Sequence, residues 1–187
     1  MPTHSIVVFV CFSLLGLTLM INGIIFRRRG KTVIGKPTID RLLFLAGKLT
    51  TFYTWIMFVM KAIFPTIGYI TVPMWLSWVA VALLIIASLI MSFAFITLGK
   101  ALIVGIPIGE TELKTGFIYR ISRNPIYLGV YLINIASSLY FPNLINITFA
   151  LVGIYFHHRI VLAEEVFLRE RFGAEWEQYS QRVRRYL

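Results

Sequence analysis

Five apolar runs separated by polar breaks organise this chain. Those from Ser5 to Phe26, Leu42 to Phe64 and Met74 to Leu98 are each long enough to cross a hydrocarbon layer, which takes about 20 apolar residues as a helix. Two shorter runs, Ile126 to Tyr140 and Asn143 to Val161, are joined only by Phe141-Pro142-Asn143, a connection too tight for anything but a helical hairpin. Their shortness predicts tilt or incomplete crossing. Between the third and fourth runs, Gly99 to Gly109 is apolar but interrupted by glycines and a proline. Non-helical backbone at membrane depth is tolerated where protein or a cavity covers it, so this stretch reads either as a re-entrant cover for a pocket or as a plain interfacial linker, and alone it favours the linker. After Val161 the pattern changes again. Phe172-Gly173 predicts a helix stop, and Ala174 to Arg185 predicts an amphipathic helix with Trp176, Tyr179, Val183 and Tyr186 in one aromatic stripe. That stripe would lie on the membrane or cover a pocket, and lipid-interface packing explains it equally well. The expected fold is all-α: one polytopic membrane domain over 1–187, with about five transmembrane helices, the last two a hairpin, and a C-terminal amphipathic cytoplasmic helix.

Composition narrows the class. With 187 residues, 58% of them hydrophobic, and a formal net charge of +10, together with a mean hydropathy of +0.81, the chain is neither a soluble domain nor a disordered one. A separate soluble α/β domain would need roughly 100 residues of ordinary composition, and no such stretch exists. The positive charge is unevenly placed. Arg27, Arg28, Arg29, Lys31, Lys36, Arg41 and Lys48 lie in or beside the first loop, only Lys61 borders the second, and the hairpin turn carries none. Short cytoplasmic loops are enriched in Lys and Arg, which places the first loop inside, the N-terminus outside, and both Lys100 to Pro125 and the segment after Val161 inside. Ser5 to Phe26 lacks a positive n-region and a small-x-small cleavage site, so it reads as a retained anchor rather than a signal peptide. The seven cations come without any pattern of a nucleic-acid fold; they read as topogenic, in contact with anionic headgroups, and no nucleic-acid partner is expected. Cys11, the single cysteine, lies in the first span and is expected to pack as a small apolar residue.

Candidate chemistry concentrates at two places on the same predicted face. The first is Arg120 to Gly129, where Asn124-Pro125 forms a helix start: Asn is a good N-cap, and Pro fits the first helical position. Such a start aims unpaired backbone N–H groups at a pocket suited to the carboxylate of a bound amino-acid moiety. Arg120 and Arg123 would reinforce that field, and Tyr127 adds an aromatic face and a hydroxyl. The second is His157-His158-Arg159 followed by Glu164-Glu165. Adjacent histidines point about 100° apart on a helix, and His4 is expected outside, so an interfacial role is favoured and no metal is expected. His157 with Glu164, and His158 with Glu165, fall on similar faces. The two glutamates read equally as solvated charges or as partly covered ligands for a ribose diol or a cation.

The run Thr115, Tyr119-Arg120, Arg123-Asn-Pro125, Tyr127, Gly129, followed by Glu164-Glu165, Leu168, Phe172-Gly173, Tyr179, Val183 and Arg185, resembles the integral membrane methyltransferases that include isoprenylcysteine carboxyl methyltransferase and the phospholipid N-methyltransferases. The resemblance covers about the last 75 residues. It implies an S-adenosyl-L-methionine-dependent methyltransferase whose cofactor sits in a cytoplasmic pocket between the hairpin and the C-terminal helices, within 99–187, with a lipophilic acceptor arriving from the bilayer. The cofactor-binding residues it implies are Tyr119, Arg123, Asn124, Pro125, Tyr127, Leu128, His158, Glu164 and Glu165, and the catalytic ones Arg159 and Glu165, with Arg159 orienting an acidic acceptor. Phe117-Ile118 stand where that family commonly has Gly-Pro. Asn124 stands where better-studied members have a histidine, and it keeps hydrogen bonding without carrying a proton. Arg159 is one residue upstream of the family's arginine. An NADPH-dependent membrane lipid or sterol reductase and a non-catalytic scaffold retaining the fold are the alternative readings. A prenylated protein carboxylate, a phosphatidylethanolamine amine or a small lipophile would each suit as acceptor.

Overall fold

The computed structural model describes residues 2–28, 37–68, 70–98 and 112–187, the side chains of 26–28 excepted. All regular structure among these residues is helical: α1 (Thr3–Arg28), α2 (Arg41–Ile63), α3 (Met74–Leu98), a 3-10 turn (Phe117–Arg120), α4 (Pro125–Tyr140), α5 (Leu144–Phe172) and α6 (Ala174–Arg182). α1, α2, α3 and α5 have the length and apolarity to cross a membrane, and α4 is shorter. The expected Gly99 to Gly109 connector and Arg29, Lys31 and Lys36 of the basic loop lie outside the described residues.

The helix starts follow from local chemistry. Asp40 accepts from the N–H of Leu42 at 2.9 Å and opens α2, and Asn143 accepts from Ile145 at 3.0 Å and opens α5, each satisfying amides that a helix start leaves without partners. α4 packs chiefly on α3, α5 on α2, and α1 on α3. Glycines allow the close crossings. A Cβ on Gly129 would stand 3.2 Å from the Ala87 carbonyl oxygen, and one on Gly153 2.7 Å from Thr51 Oγ1. Phe58, Leu84, Met91, Phe95, Val130 and Ile133 fill the interior, while Leu14, Met20, Leu49, Phe52, Trp75, Ile96 and Leu151 face outward, as a lipid solvent requires.

A buried polar seam ties three helices together. Thr54 Oγ1 donates to Asn134 Oδ1 at 2.7 Å, Ser137 Oγ to the Thr54 carbonyl at 2.7 Å, and Asn146 Nδ2 to the Ser137 and Phe141 carbonyls at 3.1 and 3.0 Å. Each such bond across transmembrane helices is worth on the order of 1 kcal/mol. At the hairpin end, Lys61 Nζ donates to the carbonyls of Pro65, Ile67 and Ile70 at 2.6, 2.9 and 3.0 Å.

The helix that carries the fifth apolar run continues past Val161 to Phe172 and ends at Gly173 (φ 49°), the stop that Phe172-Gly173 predicts. One expectation is corrected. The last helix does not reach Arg185. It ends at Arg182, and Val183 is extended (φ −121°, ψ 132°). The backbone carbonyls beyond that point leave the helix to bond the start of α4 instead: Arg184 accepts from the Arg123 N–H at 3.0 Å, and Arg185 from Ser122 Oγ at 3.2 Å.

Candidate active site

The site forms where the start of α4, the last turns of α5, α6 and segment 183–187 meet. Pro125 occupies the first turn of α4 as expected, but the Asn124 side chain does not cap the helix. Instead Asn124 Nδ2 donates to Glu165 Oε1 at 3.0 Å and to the Arg185 carbonyl at 3.3 Å, while Ser122 Oγ accepts from the Asn124 N–H at 3.2 Å. Among the described residues no side-chain cap bond is made at the start of α4, which leaves its leading amides suited to an anion.

Glu165 is the hub of the closed side. It is 8% exposed and takes Arg185 through Nε at 2.9 Å and Nη2 at 2.8 Å, with Arg123 Nη2 at 3.3 Å. Two cations and an amide around one buried carboxylate offset its desolvation. Arg123 also donates to the Ser180 carbonyl at 3.0 Å and lies over the Trp176 ring, fastening α6 to the same point. Tyr179 donates to the Tyr119 carbonyl at 2.7 Å. Burial pushes the Tyr179 phenol up to about 12, against the pull of Arg123, so it stays a donor throughout the physiological range.

Glu164, one residue earlier, faces the other way. Tyr127 Oη donates to its Oε1 at 2.8 Å, and the Tyr127 ring lies 6.0 Å from that of His157. The tautomer of His157 follows from its neighbours: Nδ1 is 2.8 Å from the Gly153 carbonyl, which only accepts, so Nδ1 carries the proton. Nε2 is then an acceptor, and Lys48 Nζ donates to it at 3.4 Å. Alongside, His158 Nδ1 lies 2.7 Å from Tyr186 Oη, which is 3.1 Å from Tyr131 Oη.

Of the residues singled out in the sequence, Tyr119, Arg123, Asn124, Pro125, Tyr127, Leu128, His158, Glu164 and Glu165 converge here; Leu128 contributes its N–H to the Asn124 carbonyl at 3.0 Å and a buried side chain. Arg120 is exposed. Arg159 is not part of the cluster: it is exposed and donates to Tyr155 Oη at 3.3 Å, about 140° around the helix from Glu164 at 100° per residue. Phe117 takes a left-handed φ of 51°, a conformation that suits the glycine common there in the resembling family and costs a side-chain-bearing residue on the order of 1 kcal/mol. Contact of its ring with Phe93 on α3, at 5.4 Å, offsets that cost. Ser122, Tyr131 and above all Lys48, which border the site, were not legible in the sequence as doing so; His157 was marked only by its place in the second cluster and Tyr186 by its place in the aromatic stripe. The available signal for Lys48 was its position, a cation two turns inside an apolar helix.

Helices of this length and apolarity, with polar side chains gathered at one end of the bundle by a hairpin and a closing segment, are those of an integral membrane protein with a candidate site at that end. Residues 75–175 match the model of the phospholipid methyltransferase family, and the chain belongs to that family. It is 32% identical over 111 residues to a probable protein-S-isoprenylcysteine O-methyltransferase of Oryza sativa subsp. indica, covering 57% of this chain and 58% of the relative. It is 30% identical over 113 residues to protein-S-isoprenylcysteine O-methyltransferase B of Arabidopsis thaliana, covering 58% of this chain and 57% of the relative. The chain thus spans less than two thirds of the length of these curated relatives. The family match takes in Tyr119 to Glu165 and leaves out Lys48 and Arg185.

Proposed function

We propose that the protein transfers a methyl group from S-adenosylmethionine to a lipophilic acceptor that reaches the site from the bilayer. The observation that carries this reading is the pairing of Tyr127 with Glu164 beside the uncapped start of α4, inside the segment shared with the methyltransferase family. These residues suit the group. The free amides of α4 take its carboxylate, Glu164 takes its ammonium or ribose hydroxyls, and Tyr127 supplies an aromatic wall. S-adenosylmethionine supplies an electrophilic methyl on a sulfonium. Displacement disperses that charge, so a water-poor and prealigned site provides much of the rate. Asn124, Arg123 and Glu165 hold segment 183–187 over the site and exclude water. If the acceptor is an amine, a glutamate takes its proton. The positive charge of the first loop supports a cytoplasmic position for this end of the bundle.

Calorimetric titration of the purified protein with S-adenosylmethionine, S-adenosylhomocysteine and NADPH tests the reading, with Glu164→Gln in parallel. Saturable binding of the first two, weakened about tenfold or more in the variant, is the expected result. Binding of NADPH alone would make it a reductase, and no binding by a folded sample would leave a scaffold.

A further inference from the structure

Lys48 has no place in the cofactor site as drawn above, yet its geometry is not that of a surface charge. Lysines near helix ends ordinarily extend toward water. This one sits inside α2 and turns toward the bundle, its ammonium 5.2 Å from the Phe44 ring centroid and 6.0 Å from that of Tyr127. Its hydrogen-bond partner is the neutral Nε2 of buried His157, an acceptor fixed in place by the Gly153 carbonyl and bordered by Thr51 Oγ1 at 3.4 Å from Nδ1. An ammonium has three N–H donors. Among the described residues one is engaged and no carboxylate lies within ion-pair distance, since Glu164 is turned onto the Tyr127 hydroxyl and Glu165 onto two arginines. The result is an oriented positive charge with open donors, walled by aromatic rings and within electrostatic reach of Glu164 without pairing to it.

We propose that Lys48 holds the oxyanion of the acceptor, selecting lipophilic molecules that carry one negative oxygen group, a carboxylate or a phosphodiester, at or beside the atom that takes the methyl from the sulfonium. His157 positions the ammonium, and the Phe44 and Tyr127 rings accompany the apolar part of the ligand. This rests on the methyl-transfer reading, and it gives Lys48 the acceptor-orienting role for which the exposed Arg159 is poorly placed.

The test uses the full chain in zwitterionic nanodiscs with labelled S-adenosylmethionine. Three acceptors are compared: N-acetyl-S-farnesylcysteine, which has a carboxylate; phosphatidylethanolamine, which has a phosphodiester; and S-farnesylcysteine amide, which has an amine and no anion. Lys48→Met should raise KM for the anionic acceptor that the wild type uses by about tenfold or more, with kcat far less affected. Lys48→Arg should restore most of that loss, and S-adenosylhomocysteine should bind wild type and both variants alike. Which anionic acceptor is used distinguishes carboxylate from phosphodiester. The proposal is overturned if KM does not move in Lys48→Met, if cofactor affinity falls in step with it, if the neutral amide serves the wild type as well as the acids, or if a cofactor-binding wild type methylates neither acid. A folded wild type that binds no S-adenosylmethionine overturns the methyltransferase reading itself.

Discussion

At the scale of single residues, Asn124 shows how a correct position conceals a different job. The sequence marks it as the cap of α4, and it stands at the cap position, yet its amide is spent on Glu165. The two roles make opposite forecasts for one substitution. Aspartate caps helices as well as asparagine does, so Asn124→Asp would be harmless to a cap, whereas here it sets a second carboxylate beside a buried one. We expect Asn124→Asp to lower the thermal midpoint in detergent more than Asn124→Ala does. Alanine itself removes a hydrogen bond to a charged group, worth about 1.5–3 kcal/mol. Equal midpoints for the aspartate variant and the wild type would restore the capping role. Glu164 and Glu165 were visible as candidates from their place past an apolar run. Their partners were not, because Tyr127, Asn124 and Arg185 lie 37, 41 and 20 positions away and are brought together only by packing.

At the scale of elements, hydropathy located the helices well. α3 has the expected limits, and α2 differs by one residue at each end, since uninterrupted apolar runs leave the chain no alternative in lipid. Where polar residues decide, local pattern failed. The stripe of Trp176, Tyr179, Val183 and Tyr186 has helical spacing, but only Trp176 and Tyr179 lie on α6, because the carbonyls of Arg184 and Arg185 gain partners on the turn before α4. Segment 183–187 therefore acts as a strap. A chain ending at Arg182 should keep its membrane helices and lose the strap's contacts, exposing Arg123 and stranding part of the charge around Glu165. Hydrogen exchange should show the Arg123 amide, bonded to Arg184, losing protection while amides within α4 keep theirs. Unchanged protection at Arg123 would mean that the strap is incidental to the site.

At the scale of the whole molecule, the helices alternate in direction and set two distinct ends: Glu164, Glu165 and Lys48 at one, and Lys61, Tyr140 and His4 at the other, where His4 Nδ1 meets Tyr140 Oη at 2.7 Å. With Cys11 replaced by alanine, single cysteines at Thr66 and Glu175 should be labelled by an impermeant maleimide from opposite sides of sealed vesicles, Glu175 from the cytoplasmic side. Labelling of both from one side would contradict the spanning arrangement. The division of the chain into spans was legible because lipid imposes it; the meeting of α2 with α5 at Gly47 and Gly153 was not, because single glycines in apolar runs do not announce which neighbour they admit. The length of α5 has its own consequence. Its 29 residues measure about 43 Å at 1.5 Å per residue, against a hydrocarbon layer of about 30 Å. The glutamates ride on the surplus, so a thicker or thinner bilayer slides along α5 and shifts the height of the site above the lipid, while the site's own geometry stays fixed. On the methyl-transfer reading proposed above, membrane thickness would thereby become a determinant of which acceptors are within reach.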